Sequence, residues 1–132
     1  MKAHVHTSGF ATMATRLDVR DGRRLCVQGR RHQEFGRVVS GRARVVRDGV
    51  EVASVEVGDH FGEFTLLRGL PSPVTIVADG PMTIDLVTGS EFRATVAQDP
   101  VAVTELERTL DGRIRDWVSA PDAAAVSEVA VA

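Results

Sequence analysis

The chain has 132 residues, of which 43% are hydrophobic, and its 16 Lys and Arg residues against 18 Asp and Glu residues give a net charge of −2. This length and composition predict one globular domain and exclude a disordered chain. The balanced charge excludes general nucleic-acid binding, which requires a strongly basic face, so we expect no DNA partner.

The sequence shows neither a secretory signal nor a membrane span. No apolar run is long enough to cross a bilayer, and the N-terminus lacks an apolar stretch after a basic one. The single cysteine, Cys26, cannot form an internal disulfide. Its place between two apolar residues of a strand pattern favours a small buried side chain over a reactive thiol. We therefore expect a cytoplasmic protein.

The predicted domain occupies residues 16–119. Residues 1–15 have few periodic apolar positions and are predicted to form a flexible arm, with a short helical turn near residues 10–13. His4 and His6 would share one face of an extended arm, but two imidazoles without further ligands do not make a metal site. Residues 120–132 are predicted to be a disordered tail.

The middle of the chain reads as short strands separated by glycine turns. Strands are predicted at residues 16–19, 23–27, 34–39, 42–47, 50–57, 74–78 and 82–87, and Asp48-Gly49 is the best hairpin signal. Short strands with a turn every eight to twelve residues or so indicate a mainly β fold, an antiparallel jelly-roll β-barrel. Strands do not alternate with helices along the sequence, which argues against a Rossmann-type parallel sheet.

Two helices are predicted near the C-terminus. Ser90 is expected to cap the first, over residues 91–97, and Asp99-Pro100 to begin the second and longer one, which ends near residue 119.

The second helix has an apolar stripe that predicts its buried face. Its members step by three and four residues: Val103, Leu106, Leu110, Ile114 and Trp117. Arg108, Arg113 and Arg115 are predicted to lie off this stripe.

Residues 57–78 carry the candidate functional site. A Gly62-Glu63 step precedes one to two turns of helix, a proline-rich turn and a strand. A glycine lets the backbone approach a ligand closely, and exposed N–H groups at the start of a helix attract anions. A carboxylate beside such N–H groups suits a ligand that carries both hydroxyls and a phosphate.

The order Gly-Asp, Phe-Gly-Glu, Leu-Leu, Gly-x-Pro and Val-Thr-Ile in this stretch resembles the phosphate-binding cassette of cyclic-nucleotide-binding domains. The spacing of glycines, hairpin turns and final helix from about residue 17 to residue 117 is also similar to that family. The resemblance implies a jelly-roll β-barrel (a double-stranded β-helix) with short flanking helices. It also implies cAMP or cGMP as ligand, and no metal.

The same resemblance assigns roles to cassette residues. It implies that Glu63 accepts a hydrogen bond from the ribose 2′-hydroxyl and that N–H groups of Gly62, Phe64 and Thr65 bind the cyclic phosphate. Thr75 stands in the following strand, where the family often has a threonine. The alternative for Glu63 is a first-turn acid that only stabilises the helix dipole, and for Thr75 it is simple β-propensity.

Ser72 departs from the family pattern. The family places an arginine directly after the proline to neutralise the phosphate, whereas this chain has Ser72 followed by Pro73, which has no N–H. Removal of one partner from a buried charge pair costs about 2–5 kcal/mol and loss of a hydrogen bond to a charged group about 1.5–3 kcal/mol, which predicts that affinity falls by about two to five orders of magnitude. Arg68 is the nearest cation in sequence that could compensate, and the Ser72 hydroxyl could donate one neutral hydrogen bond.

Three further side chains have more than one interpretation. Trp117 could close over the base of a ligand, as apolar residues of the last helix do in relatives, or form a core or dimer contact. His32 and His60 lie in predicted turns and are expected at the surface.

No nucleophile elbow, CxxC pair, HExxH motif or P-loop is present in the sequence, so we expect a regulatory domain and not an enzyme. Fifteen residues follow Trp117, too few for a DNA-binding module, so any output is expected through an unidentified protein partner or self-association. Two hypotheses remain: a sensor that binds a cyclic nucleotide weakly, and a degenerate domain that acts as a protein-interaction module.

Overall fold

The computed structural model describes residues 14–118. Its eight strands are β1 (Thr15–Val19), β2 (Arg24–Cys26), β3 (Glu34–Ser40), β4 (Ala43–Arg47), β5 (Val50–Val55), β6 (His60–Phe61), β7 (Thr75–Ala78) and β8 (Met82–Thr88). Its three helices are α1 (Glu63–Arg68), α2 (Gly89–Ala97) and α3 (Pro100–Val118). The predicted arm, apart from its last two residues, and the whole predicted tail lie outside the described residues.

The strands form two antiparallel sheets of four strands each. Their orders are β1-β8-β3-β6 and β2-β7-β4-β5, so consecutive strands alternate between the sheets at several points, as in a jelly roll. The predicted mainly β fold with α3 as its longest helix is confirmed. β1 and β2 follow each other in the chain but pair with β8 and β7 and not with each other, so the barrel is open along this side.

The main hydrophobic core lies between the two sheets. It joins Val38 and Ile84 of the first sheet to Val45 and Ile76 of the second, and all four are at most 3% exposed. These residues alternate with more exposed ones along their strands, which is the pattern that places one face of each sheet against the other. A second cluster, centred on Phe92, packs α2 and α3 against the end of the first sheet.

The predicted cap of α2 is wrong by two residues. Thr88, not Ser90, is the N-cap: its Oγ1 accepts a hydrogen bond from the N–H of Glu91, whose carboxylate accepts one from the N–H of Thr88. This reciprocal pair satisfies two helix-end donors, which a cap at Ser90 would leave unpaired. The predicted Asp99 cap of α3 is confirmed, because its carboxylate accepts from the N–H of Ala102.

The apolar stripe of α3 packs inward as predicted. Leu106, Leu110 and Trp117 are buried, at 5% exposure or less. Among residues 14–118, none of the helices combines the length and the apolar character that a membrane crossing needs.

Candidate functional site

Gly62 gives the cassette its shape. It follows β6 with a φ of 89°, in the left-handed region that favours glycine. A Cβ at this position would overlap the carbonyl oxygen of Glu34 and lie 2.9 Å from Cδ2 of His32. The chain can therefore turn from β6 into α1 only with glycine here, and the turn directs the next residue into the protein interior.

Glu63 is the buried acid of the site. It is the first residue of α1 and is 3% exposed. Its Oε1 accepts a hydrogen bond from Nη1 of Arg113 at 2.6 Å. Its Oε2 is buried and has no hydrogen-bond partner within the part of the chain that the structure describes. A buried acceptor without a partner is costly, so this oxygen marks a place where a hydroxyl donor would be favourable.

Arg113 comes from α3, and its predicted position off the apolar stripe is wrong. It lies three residues after Leu110 and four before Trp117, so helical spacing places all three on one face. The sequence shows this spacing, but an arginine is expected to point into solvent unless a buried acid that could pair with it is known. In the structure its side chain is 17% exposed and lies against Glu63.

Trp117 closes the cassette from the same helix. It is 5% exposed and packs in the main core, and it also lines the cassette cavity with Cys26 and Ile76. The predicted core contact is confirmed, and closure of Trp117 over the base of a ligand stays a prediction. The cavity that remains has a volume of about 10 Å³. One water needs at least that much, and ligand sites usually have about 300–1,000 Å³.

Ser72 has no donor left for a phosphate. It is 7% exposed, and its hydroxyl donates to the carbonyl of Val74 at 2.7 Å. Its N–H donates to the carbonyl of Arg30, and its own carbonyl accepts from the N–H of Gly29. The expected weak donor at the phosphate position is thus already used in holding the turn before β7.

Arg68, the nearest cation in sequence, is held away from this position. Its guanidinium bonds Oε2 of Glu107 at 2.8 Å and Oδ1 of Asp111 at 2.6 Å, both on α3. These two carboxylates raise the pKa of Arg68. Arg68 therefore fastens α1 to α3, and of the described residues that line the cavity only Arg113 is an arginine or lysine.

The other predicted site residues divide into two groups. Gly62, Glu63, Phe64, Thr65 and Ser72 all line the small cavity. Thr75 does not: its Oγ1 accepts a hydrogen bond from the N–H of Gln28, which ties β7 to the turn after β2.

The two histidines differ from their predicted surface positions. His60 belongs to β6, is 6% exposed and stacks on Phe35 with ring centroids 5.1 Å apart. Burial lowers its pKa to about 4, because the charged imidazolium would lose its hydration. His32 lines the cavity, and burial lowers its pKa as well. The burial of His60 depends on the packing of β6 against β3, and that of half-buried His32 on its place beside the cavity, and no local pattern shows either.

Cys26 forms part of the cavity wall. It is buried, as predicted, and burial together with the charge of Glu63 raises the pKa of its thiol. A thiol of raised pKa is a poor nucleophile. No group of three or more metal-binding side chains was found within residues 14–118.

Comparison with known proteins gives consistent results. The model of the cyclic nucleotide-binding domain family matches residues 16–99, more than half of the chain. An uncharacterized protein of Mycobacterium tuberculosis is 36% identical over 77 residues, 58% of this chain and 15% of its own length. The regulatory subunit of the cAMP-dependent protein kinase of Yarrowia lipolytica is 35% identical over 72 residues, 54% of this chain and 19% of its own length.

Two solved structures share the fold. The cAMP-bound PfPKA-R superimposes with a TM-score of 0.74 at 21% identity, over 83% of this chain and 38% of that one. The catabolite activator protein of Thermus thermophilus superimposes with a TM-score of 0.71 at 23% identity, over 89% of this chain and 57% of that one. The chain thus spans less than a fifth of the length of the two curated relatives. With the family model matched over most of its strands and over the whole Gly62-Glu63 cassette, the chain belongs to the cyclic nucleotide-binding domain family.

Proposed function

We propose that this domain is a regulatory sensor of a cyclic nucleotide, without catalytic activity, and that its ligand site is held shut by α3. The observation that carries the proposal is the 2.6 Å ion pair between Glu63 and Arg113. Resemblance to the family implies that Glu63 binds the ribose hydroxyl, and here Arg113 of α3 is paired with it. Arg113 holds Oε1 and leaves Oε2 for a hydroxyl, but the cavity of about 10 Å³ beside them has no room for a nucleotide, so nucleotide and helix compete for this space.

Competition of this kind couples ligand binding to movement of α3. A nucleotide can enter only if the side chains of α3 that line the cavity, Arg113 and Trp117, move away from it. The apparent dissociation constant then equals the intrinsic one divided by the open fraction, so each 1.4 kcal/mol or so that favours closure weakens binding about tenfold. A bound nucleotide shifts the equilibrium towards the open form by the same free energy.

Arg113 could also supply the positive charge that the cassette lacks at Ser72. Ser72 and Pro73 provide neither charge nor donor, and Arg68 is engaged with α3. Once displaced from Glu63, the guanidinium of Arg113 is the cation that the cavity provides for the cyclic phosphate. We infer weak binding of cAMP, cGMP or a related cyclic nucleotide.

A second candidate function is a protein-interaction module with no ligand. Two observations favour this alternative. The hydroxyl of Ser72 already donates to the carbonyl of Val74, and the cavity of about 10 Å³ is filled by the side chains around it. In that case the domain acts through a protein partner or self-association, and the Glu63–Arg113 pair serves only to fix α3.

A titration separates the two candidates. Amide chemical shifts of the labelled protein are followed against cAMP and cGMP, with adenosine as a ligand that lacks the phosphate. Saturable shifts at residues 62–65 together with Arg113 and Trp117 are the expected result. Fluorescence of Trp117, the only tryptophan, gives an independent signal of its exposure when α3 moves. Absence of any shift at residues 62–65 up to several millimolar would overturn the sensor and support the interaction module.

A further inference from the structure

A large cavity lies outside the cassette. A cleft of about 750 Å³ opens on the side where the barrel is not closed, between β1, β2 and the turn that follows β2. We call it the arginine cleft, because five arginines line it: Arg20, Arg23, Arg24, Arg30 and Arg31. It shares Cys26, His32 and Phe61 with the cassette cavity, so the two are neighbours separated by these side chains.

The arginine cleft runs along two open sheet edges. Leu17, Asp18 and Val19 of β1 all line it, as do all three residues of β2. Successive side chains of a strand point to opposite faces, so a cleft lined by consecutive residues follows the edge of the strand and not one face. β1 and β2 are the outermost strands of their sheets, and within residues 14–118 each pairs on one side only.

An open strand edge is a template for another strand. It presents a row of backbone N–H and C=O groups that an extended peptide can pair with, and this is a recurrent mode of peptide recognition. β1 is the better template, because it has five residues in regular register with β8, whereas β2 has three and an irregularity in its pairing with β7. Leu17 of β1 is 42% exposed, which leaves apolar surface beside this edge.

The charges around the cleft select the kind of peptide. Within the described chain, no ion pair is formed by Arg20, Arg23, Arg24 or Arg30, and Arg31 donates only to the carbonyl of Gly69.

The acids of the cleft do not cancel this charge. Asp18 accepts a hydrogen bond from Thr83 and Asp21 accepts one from the N–H of Gly80, and Glu34 is the third. Five cations against three acids leave the rim positive, above a floor of Phe61, Ile84 and Leu86.

We propose that the arginine cleft binds an acidic segment of a partner protein, which adds to the free edge of β1 as an extended strand. Alternation along such a strand places apolar side chains on the floor and carboxylates against the arginines. A second copy of this chain is a poorer occupant, because pairing β1 with β1 would bring two positive rims together. The proposal uses neither Glu63 nor Arg113, so it does not depend on nucleotide binding.

Three blocked hexapeptides test the proposal on the full chain. The first alternates Glu and Val, the second alternates Lys and Val, and the third is the Glu-Val peptide with all its backbone nitrogens methylated, which removes the N–H groups from both edges. Only the first has both the charge and the N–H groups that the edge of β1 requires. Amide shifts of the labelled protein are recorded with each peptide up to about 1 mM, a range that detects weak complexes.

The expected result is saturable shifts of Leu17, Asp18 and Val19 with the acidic peptide alone, weaker at higher salt. The triple variant Arg23→Gln, Arg24→Gln and Arg30→Gln should bind it about tenfold less tightly. A matched triple variant in the helices, Arg93→Gln, Arg108→Gln and Arg115→Gln, loses the same charge at residues that do not line the cleft and should bind it as the wild type does.

Three results would overturn the proposal. Equal binding of the methylated peptide would show that charge alone acts, without strand addition. No saturable shift of β1 with the acidic peptide would show that the edge is not a docking site. Shifts of β1 that depend on protein concentration without peptide would assign the edge to self-association.

Discussion

Replacement of Arg113 by glutamine tests whether α3 holds the cassette shut. Arg113 donates to Glu63 at 2.6 Å, and the two side chains are 17% and 4% exposed. Removal of one partner of a buried ion pair leaves the other charge uncompensated, at a cost of about 3–5 kcal/mol. Because Arg113 keeps some contact with solvent, we expect the lower end of that range, a loss of about 3 kcal/mol. A single domain of this size has about 5–15 kcal/mol in total.

Urea unfolding followed by tryptophan fluorescence measures this loss. Trp117 lies four residues beyond Arg113 on the same helix and is the only tryptophan of the chain. Arg113→Gln should lower the free energy of unfolding by about 3 kcal/mol and shift the native emission of Trp117 to longer wavelength, as α3 detaches. Arg115→Gln is the matched control: Arg115 is exposed on the same helix, and its loss should change stability by about 0.5 kcal/mol or less.

A double-mutant cycle decides whether the loss belongs to the pair. Glu63→Gln should also destabilise the domain, but the double variant should lose less than the two single losses combined, because neither partner is then left charged and alone. A coupling free energy of at least about 1 kcal/mol is expected. If Arg113→Gln behaves like Arg115→Gln, or if the cycle shows no coupling, the ion pair does not hold α3 in place.

Three further predictions concern the cassette. Ser72→Arg should raise the affinity for cAMP at least about tenfold, since it restores a counter-charge at the phosphate position. Gly62→Ala should destabilise the domain by about 2 kcal/mol more than Gly80→Ala, because both glycines have a φ near 89° but only at Gly62 would a Cβ meet backbone. The pKa of His60 is about 6.5 in the unfolded chain and about 4 in the folded one, so the unfolded chain takes up the proton first as the pH drops. The free energy of unfolding should therefore fall by up to about 3 kcal/mol between pH 6.5 and pH 4. His60→Phe should reduce this dependence.

Each of these predictions has a defined contrary outcome. No gain in titrations of Ser72→Arg would show that the site is shaped wrongly and not merely short of a charge. Equal unfolding free energies for the two glycine variants would mean that the backbone near Gly62 adapts to a side chain. If the His60→Phe variant keeps the full pH dependence, other groups such as His32 cause it.

Much of the fold could be predicted from the sequence. The turns, most of the strands, α1 and the stripe of α3 follow local rules of glycine conformation, alternation and helical spacing. β6 was missed because it has two residues and stands inside a predicted turn. The sequence predicts Ser90 as the N-cap of α2 because serine and threonine are both favourable N-cap residues. Only the path of the chain as it leaves β8 selects Thr88.

The sequence by itself determined the family of this domain and predicted that Ser72 stands where the family has an arginine, because both depend on residue identity at fixed spacing. Only the tertiary structure showed that Arg113 binds Glu63, that Arg68 is held by α3 and that His60 is buried. These partners lie far apart in the chain: 50 residues separate Arg113 from Glu63, and 39 separate Arg68 from Glu107. Contacts over such distances are set by where α3 packs on the sheets, and local propensity carries no information about that position.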